Sequence, residues 1–226
     1  MSLWYIVSVG GESLYFEYEK NETDYLKSRD KLLGEAIDKI GHINRRVNKD
    51  IFSSVIYHII GQQISTSAQA TVWNRLHEKT GAVNAESILA LSKEELQSIG
   101  ITFKKVDYIH NFAVKVKSKE LDLDSLHLLS DENVIKTLSS LKGIGVWTAE
   151  MIMLFCMQRR DIVSYGDLAI LRGMRMLYHH RKIDKKMFMK YTRRYKPYGS
   201  VASLYLWAIA GGAIPEMRDY APKRKG

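Results

Sequence analysis

The sequence predicts an all-α fold, and three observations predict it. Apolar residues recur at helical spacing along most of the chain: Phe52, Val55, Ile56, Ile59 and Ile60 fall at i, i+3, i+4, i+7 and i+8. The three prolines all stand late, at 197, 215 and 222, so no earlier helix is interrupted. No stretch alternates polar and apolar residues over the length that a sustained sheet requires.

Taken in order, residues 1–20 are aromatic and β-branched around Gly10-Gly11, which suits a short strand pair or an extended strap. From about Asp24 the pattern turns helical through Leu26, Leu33, Ala36 and Ile40, with Gly41 as its stop. The stripe from Phe52 to Ile60 ends at Gly61. A polar turn, Gln62-Gln63-Ile64-Ser65, follows, and Ser65 or Ser67 caps a helix over roughly Ala68 to Lys79. Two later segments then resemble each other. Leu91 to Ile101 and Leu129 to Gly145 each read as serine cap, helix, glycine corner, helix, and Ser92 with Glu95 forms a capping box. Helices over Leu168–Tyr178, Lys185–Tyr195 and Val201–Ala210 complete the chain.

Bulk properties bound the function. A chain of 226 residues suffices for one sizeable domain or two small lobes. No apolar run approaches the roughly 20 residues of a membrane helix. The stretch Met1 to Val7 has neither a basic leader nor a small-residue cleavage site, so it reads as mature protein. The lone Cys156, in the run Met151 to Met157, reads as a buried hydrophobe, and it excludes an all-cysteine zinc or iron–sulfur site. The seven histidines show no ligand spacing. Residues 1–180 balance 22 basic against 22 acidic side chains, whereas 181–226 carry 12 against 3, the whole net charge of +9. A basic C-terminal region on a neutral body fits a polyanion, nucleic acid first, or a solubilising surface; charge alone leaves both open.

Two motifs carry candidate chemistry. In Leu141-Lys142-Gly143-Ile144-Gly145-Val146-Trp147-Thr148-Ala149, two glycines let the backbone turn tightly between helices. N–H groups at the start of the second helix then make a phosphate site that ignores base sequence. Gly100 makes a similar corner, so the turn alone is also an ordinary helix–helix connection. The second motif is Ile162-Val163-Ser164-Tyr165-Gly166-Asp167-Leu168, with Asp167 at a helix start. Singly, Asp167 is a helix cap; paired with the glycine hairpin, it is also a candidate carboxylate facing a cleft.

A helix-hairpin-helix followed by a glycine-containing loop ending in aspartate resembles the helix-hairpin-helix DNA glycosylase superfamily. Within it the chain is most similar to the 3-methyladenine DNA glycosylase II branch. The resemblance spans about 25–210 and rests on Ile59-Ile60-Gly61-Gln62-Gln63-Ile64-Ser65, the hairpin through Trp147-Thr148-Ala149, and Tyr195-Lys196-Pro197-Tyr198 running to Trp207.

The resemblance implies two helical lobes with the active-site cleft between them: 25–48 plus 165–226 as one lobe, 49–164 as the other with the helix-hairpin-helix at 129–157, and 1–24 as a short extension in place of the β-rich domain of the bacterial enzyme. It implies that Asp167 is the catalytic group, stabilising positive charge on the sugar as the base departs. Strand-cutting members carry a Schiff-base lysine at the position of Trp147, so this chain is expected to be monofunctional. Trp147 and Trp207 match aromatic positions of the alkyl-base pocket, and Met151 replaces a third. Lys142, Gly143, Ile144, Gly145 and Thr148 are expected at the DNA backbone. Gln62 and Gln63 lie where the family fills the gap left by the flipped base, Gln63 being the better match. No cofactor is required, though carbonyls of Ser139, Leu141 and Ile144 are expected to hold a monovalent cation, Na or K, at the hairpin. The expected partner is double-stranded DNA with damaged bases, met by a monomer away from any membrane, in the cytoplasm of a bacterium or the nucleus of a eukaryote. Two alternatives stand beside this: a glycosylase for another damaged base, and a non-catalytic hairpin module, which would need neither Asp167 nor the tryptophans.

Overall fold

The computed structural model describes residues 15–222. The strand or strap expected over residues 1–20 therefore lies largely outside the described residues. Among the described residues there are twelve α-helices, one 3₁₀ turn and no sheet. A single antiparallel bridge joins Tyr15 to Arg46. The all-α expectation holds.

The chain forms two compact units, 15–47 with 158–222, and 48–157. The first unit holds α1 (Lys20–Arg29), α2 (Lys31–Ile40), α10 (Leu168–Tyr178), α11 (Lys185–Tyr195) and α12 (Gly199–Ala210). The second holds α3 (Ile51–Gly61), α4 (Thr66–Thr80), α5 (Ala85–Leu89), α6 (Lys93–Gln97), α7 (Phe103–Lys117), the 3₁₀ turn Asp124–Leu128, α8 (Asp131–Ser139) and α9 (Val146–Phe155).

The later boundary falls at 157/158 rather than at 164/165, and hydrogen bonds explain why. Ser200 at the start of α12 is fully buried; its hydroxyl donates to the Arg159 carbonyl and accepts from the Ile162 N–H at 3.0 Å. The Ser203 hydroxyl, one turn on, donates to the Ile162 carbonyl at 2.8 Å. Segment 159–162 is thus stitched to α12. Residues 15–24 also belong to the first unit, because α1 begins at Lys20.

The helical run expected from Asp24 to Gly41 is two helices. Asp30 leaves helical geometry (φ −145°, ψ 104°) and its carboxylate accepts the Leu33 N–H at 3.1 Å, capping α2. The same buried carboxylate accepts from the Tyr178 hydroxyl and the Arg194 guanidinium, each at 2.9 Å. A buried carboxylate needs such partners, and removing one leaves an uncompensated charge. Asp30 thereby ties α2 to α10 and α11.

In the second unit, Val55, Ile56, Ile59 and Ile60 of α3 are fully buried, as are Val106 and Ile109 of α7 and Ala149 and Ile152 of α9. Ser65 caps α4, accepting the Ala68 N–H at 3.2 Å, and Ser92 with Glu95 forms the capping box on α6. Cys156 is buried as expected, and burial pushes its thiol up to about 12.

In the first unit, α10 and α12 cross closely at Gly173. A Cβ on Gly173 would stand 2.2 Å from the Leu206 carbonyl oxygen, which is backbone and cannot step aside. Gly173→Ala is therefore expected to force the two helices apart and to cost about 3 kcal/mol. Urea unfolding of the variant reads this as a lowered midpoint at unchanged m-value; an unchanged midpoint would show that the crossing tolerates a methyl group.

Candidate active site

In the first unit the site is built around Asp167. Leu168 to Tyr178 forms α10, and Asp167 (φ −86°, ψ 110°) is its N-cap. Its Oδ1 accepts the N–H groups of Ala169 and Ile170, each at 2.9 Å. That is the capping role which the sequence alone also allowed. A third donor goes further: the Trp207 indole N–H reaches the same Oδ1 at 3.2 Å. Trp207 follows Leu206, so the glycine-permitted crossing of α10 and α12 brings the indole within reach. Three donors on one oxygen fix the plane of the carboxylate. Asp167 is 7% exposed, while Leu168 beside it is 80% exposed and Tyr165 is also exposed. The carboxylate is thus held in place and nearly buried, with exposed apolar side chains next to it in the chain. Such a group suits charge stabilisation and proton transfer at a fixed point.

In the second unit the expected hairpin joins α8 to α9. Leu141 and Ile144 turn their side chains inward and are buried, which leaves their backbone to shape the loop. Gly143 has φ +87°, and a Cβ there would stand 2.4 Å from the Tyr108 ring. Left-handed geometry and close approach both demand glycine. Gly145 is the N-cap of α9 and supplies no side-chain cap. The start of α9 thus carries no cap from the side chain of its own N-cap residue. Lys142, Gly145 and Val146 are exposed around it.

Trp147 sits in the first turn of α9 and is 45% exposed. His58 of α3 meets its ring edge to face, with centroids 6.4 Å apart. Burial pushes the His58 imidazole down to about 4, so it is neutral at physiological pH and puts no positive charge beside that ring. Met151, four residues on from Trp147, is 3% exposed. It lies one turn deeper on the same helix face, below the surface where a pocket residue was expected. Thr148 is likewise buried.

The two glutamines of the polar turn part company. The Gln62 amide donates to the Gly143 carbonyl, which ties the turn to the hairpin rather than freeing the side chain. Gln63 stands exposed with φ +58°, at the tip of the turn. Two participants were missed by the sequence reading. Lys105 on α7 donates to the carbonyls of Ile60 and Gln62 at 2.8 and 2.7 Å, closing the end of α3 and fixing the turn. Ile64 is 39% exposed beside Gln63. An isoleucine in an otherwise polar turn was the available signal for Ile64; nothing local marked Lys105.

Comparison with known proteins places this geometry. The model of the HhH-GPD superfamily of base excision DNA repair proteins matches residues 56–197. DNA-3-methyladenine glycosylase 1 of Schizosaccharomyces pombe is 29% identical over 164 residues, covering 70% of this chain and 72% of that protein. The DNA-3-methyladenine glycosylase of Bacillus subtilis is 25% identical, and the match spans 57% of its length. The crystal structure of a DNA-3-methyladenine glycosidase from Bacillus halodurans superposes with a TM-score of 0.82 at 32% identity, over 91% of this chain and 96% of that one. The S. pombe 3-methyladenine DNA glycosylase, solved with abasic DNA, gives 0.73 at 27% identity over 84% and 96%. With the family model matching well over half its length, this chain belongs to the HhH-GPD superfamily of base excision DNA repair proteins.

Proposed function

We propose that this protein is a monofunctional DNA glycosylase that hydrolyses the N-glycosidic bond of flipped-out alkylated purines, of the 3-methyladenine and 7-methylguanine type, and leaves an abasic site. The observation that carries the reading is the carboxylate of Asp167, held on one oxygen by two backbone N–H groups and the Trp207 indole. The names of the S. pombe and B. halodurans relatives, and the abasic DNA bound to the former, support the substrate class.

In this reading the C1′–N bond breaks and its electron pair leaves with the base. An alkylated purine carries positive charge, so it departs neutral. Positive charge develops on the sugar, and Asp167 stabilises it. A water oxygen then bonds to C1′, and its proton passes to Asp167 or to solvent. The half-exposed face of Trp147 offers stacking and cation–π attraction to the electron-poor ring, beside a neutral His58. Buried Met151 supports Trp147 from beneath.

On the DNA side, the glycine-capped N-terminus of α9 with Lys142 takes a backbone phosphate without reading sequence. Gln63, with Ile64 beside it, fills the space vacated by the flipped base, at a turn that Gln62 and Lys105 hold in place. Carbonyls of Ser139, Leu141 and Ile144 are the hairpin groups that would take a monovalent cation. The Leu141 carbonyl already accepts the Ile144 N–H at 3.1 Å, which fits a turn closed before any ion arrives.

Asp167→Asn retains an acceptor for the helix cap and is expected to fold, yet to lose at least about a hundredfold in the single-turnover rate of base release. Chromatography of bases freed from methylated DNA measures this, and near-wild-type release would remove Asp167 from the chemistry. Because Trp147 offers no amine, borohydride is expected to trap no covalent protein–DNA adduct. A trapped adduct would make the enzyme bifunctional.

A further inference from the structure

We propose that the solvent face of α11 is a second duplex-DNA contact, remote in sequence from the hairpin, that grips the sugar–phosphate backbone without reading bases. The proposal rests on the DNA-directed reading above but not on the excision chemistry.

The helix divides cleanly. Phe188, Tyr191, Thr192 and Tyr195 face inward and are buried. Lys185, Lys186, Met189, Lys190 and Arg193 are exposed, at i, i+1, i+4, i+5 and i+8, which is one helical face. Its cations fall into two classes. Arg194 is spent on Asp30 at 2.9 Å, and Lys196, just beyond the helix, on Asp161 at 3.2 Å. Lys185, Lys186, Lys190 and Arg193 have no carboxylate within ion-pair range among the described residues.

Nearby acids do not offset them. Only three acidic residues follow position 180, and each is engaged elsewhere. Asp184 caps α11 through the Met187 N–H at 2.8 Å. Glu216 pairs with Lys39 at 2.5 Å, and Asp219 with Arg175 at 2.6 Å. The face from Lys185 to Arg193 therefore carries four cations and no carboxylate of its own, and exposed Arg181 and Lys182 precede it. Lys186 with Lys190, and Lys190 with Arg193, are like-charge neighbours that weaken an isolated helix by a few tenths of a kcal/mol per pair, roughly. A surface serving only solubility intersperses both signs. Concentrating one sign is explained by an anion that offsets the repulsion.

Shape and length fit a nucleic-acid strand. Lys186, Met187, Lys190 and Arg193 line a hollow of about 450 Å³. From Lys185 to Arg193 the helix rises about 12 Å, a span comparable to three to four steps along the duplex axis at about 3.4 Å of rise each. An anionic membrane fits less well, because an interfacial helix inserts its apolar face, and here that face is buried in the protein; Met189 is the one apolar side chain on the exposed face.

The test is the salt dependence of binding to an undamaged 20-base-pair duplex, read by fluorescence anisotropy from low to moderate salt. Substituting Lys185→Gln, Lys186→Gln and Lys190→Gln together is expected to lower the slope of log K against log salt by between about two and three, since each lost phosphate contact removes about 0.9. Replacing the same three lysines by arginine is expected to keep the slope. A separate Lys142→Gln variant, at the hairpin, is expected to lower it by about one, additively. An unchanged slope in the triple glutamine variant overturns the proposal, as does a change confined to binding of phosphatidylserine vesicles. Absence of base release by the wild-type protein would sink the glycosylase reading and leave this slope untouched.

Discussion

The close crossing of α10 and α12 at Gly173 is the constraint on which the chemistry of the first unit depends. With hydrogen as its side chain, Gly173 lets the Leu206 carbonyl lie against α10. The next residue, Trp207, can then place its indole N–H 3.2 Å from Asp167. The same aspartate starts α10 as its cap, so helix initiation and carboxylate orientation are one arrangement. Rigidity matters because a preorganised group loses no reorganisation energy when charge develops. Around this crossing, Asp30 draws in Tyr178 and Arg194, and Ser200 and Ser203 draw in the segment that leads to Asp167.

The second unit meets a different demand, which is to present backbone. Buried Leu141 and Ile144 pull the hairpin down by its side chains. Tyr108 against Gly143 sets its height, and the Gln62 amide couples it to the turn at the end of α3. Lys105 closes the same turn from α7. In the proposed function this hairpin takes a phosphate whatever the base sequence, which suits a protein that must meet a rare lesion anywhere in DNA.

Much of this was legible in the sequence because local rules dominate it. Leu168–Tyr178 and Lys185–Tyr195 were bounded to the residue, since Asp167 and Asp184 are strong N-caps with clear apolar periodicity behind them. Gly143 and Gly145 marked the hairpin for the same reason. What escaped was long-range. Asp30 read as one more polar residue in a helical run until its buried partners, 148 and 164 residues away in sequence, came into view. The unit boundary depends on Ser200 bonding residues some forty positions earlier. Lys105 reads as a surface lysine from its neighbours, and only the fold brings it to the carbonyls of Ile60 and Gln62. The resemblance sets Thr148 and Met151 at the site, and their burial on α9 follows from the packing of that helix, which no local pattern shows. The bond from Trp207 to Asp167 spans forty residues and has no local signature; the resemblance set both residues in the site, and the structure supplied the contact between them.

The proposed chemistry needs a carboxylate that stabilises departure of a damaged base and an aromatic face suited to cationic rings. The most direct measurement incubates the wild-type protein with DNA treated with a methylating agent and separates the freed bases by chromatography. The expected result is release of 3-methyladenine, with 7-methylguanine, and strands that stay intact until alkali is added. Release of a different base would keep the aspartate and change the pocket; binding without release of any base would contradict the account.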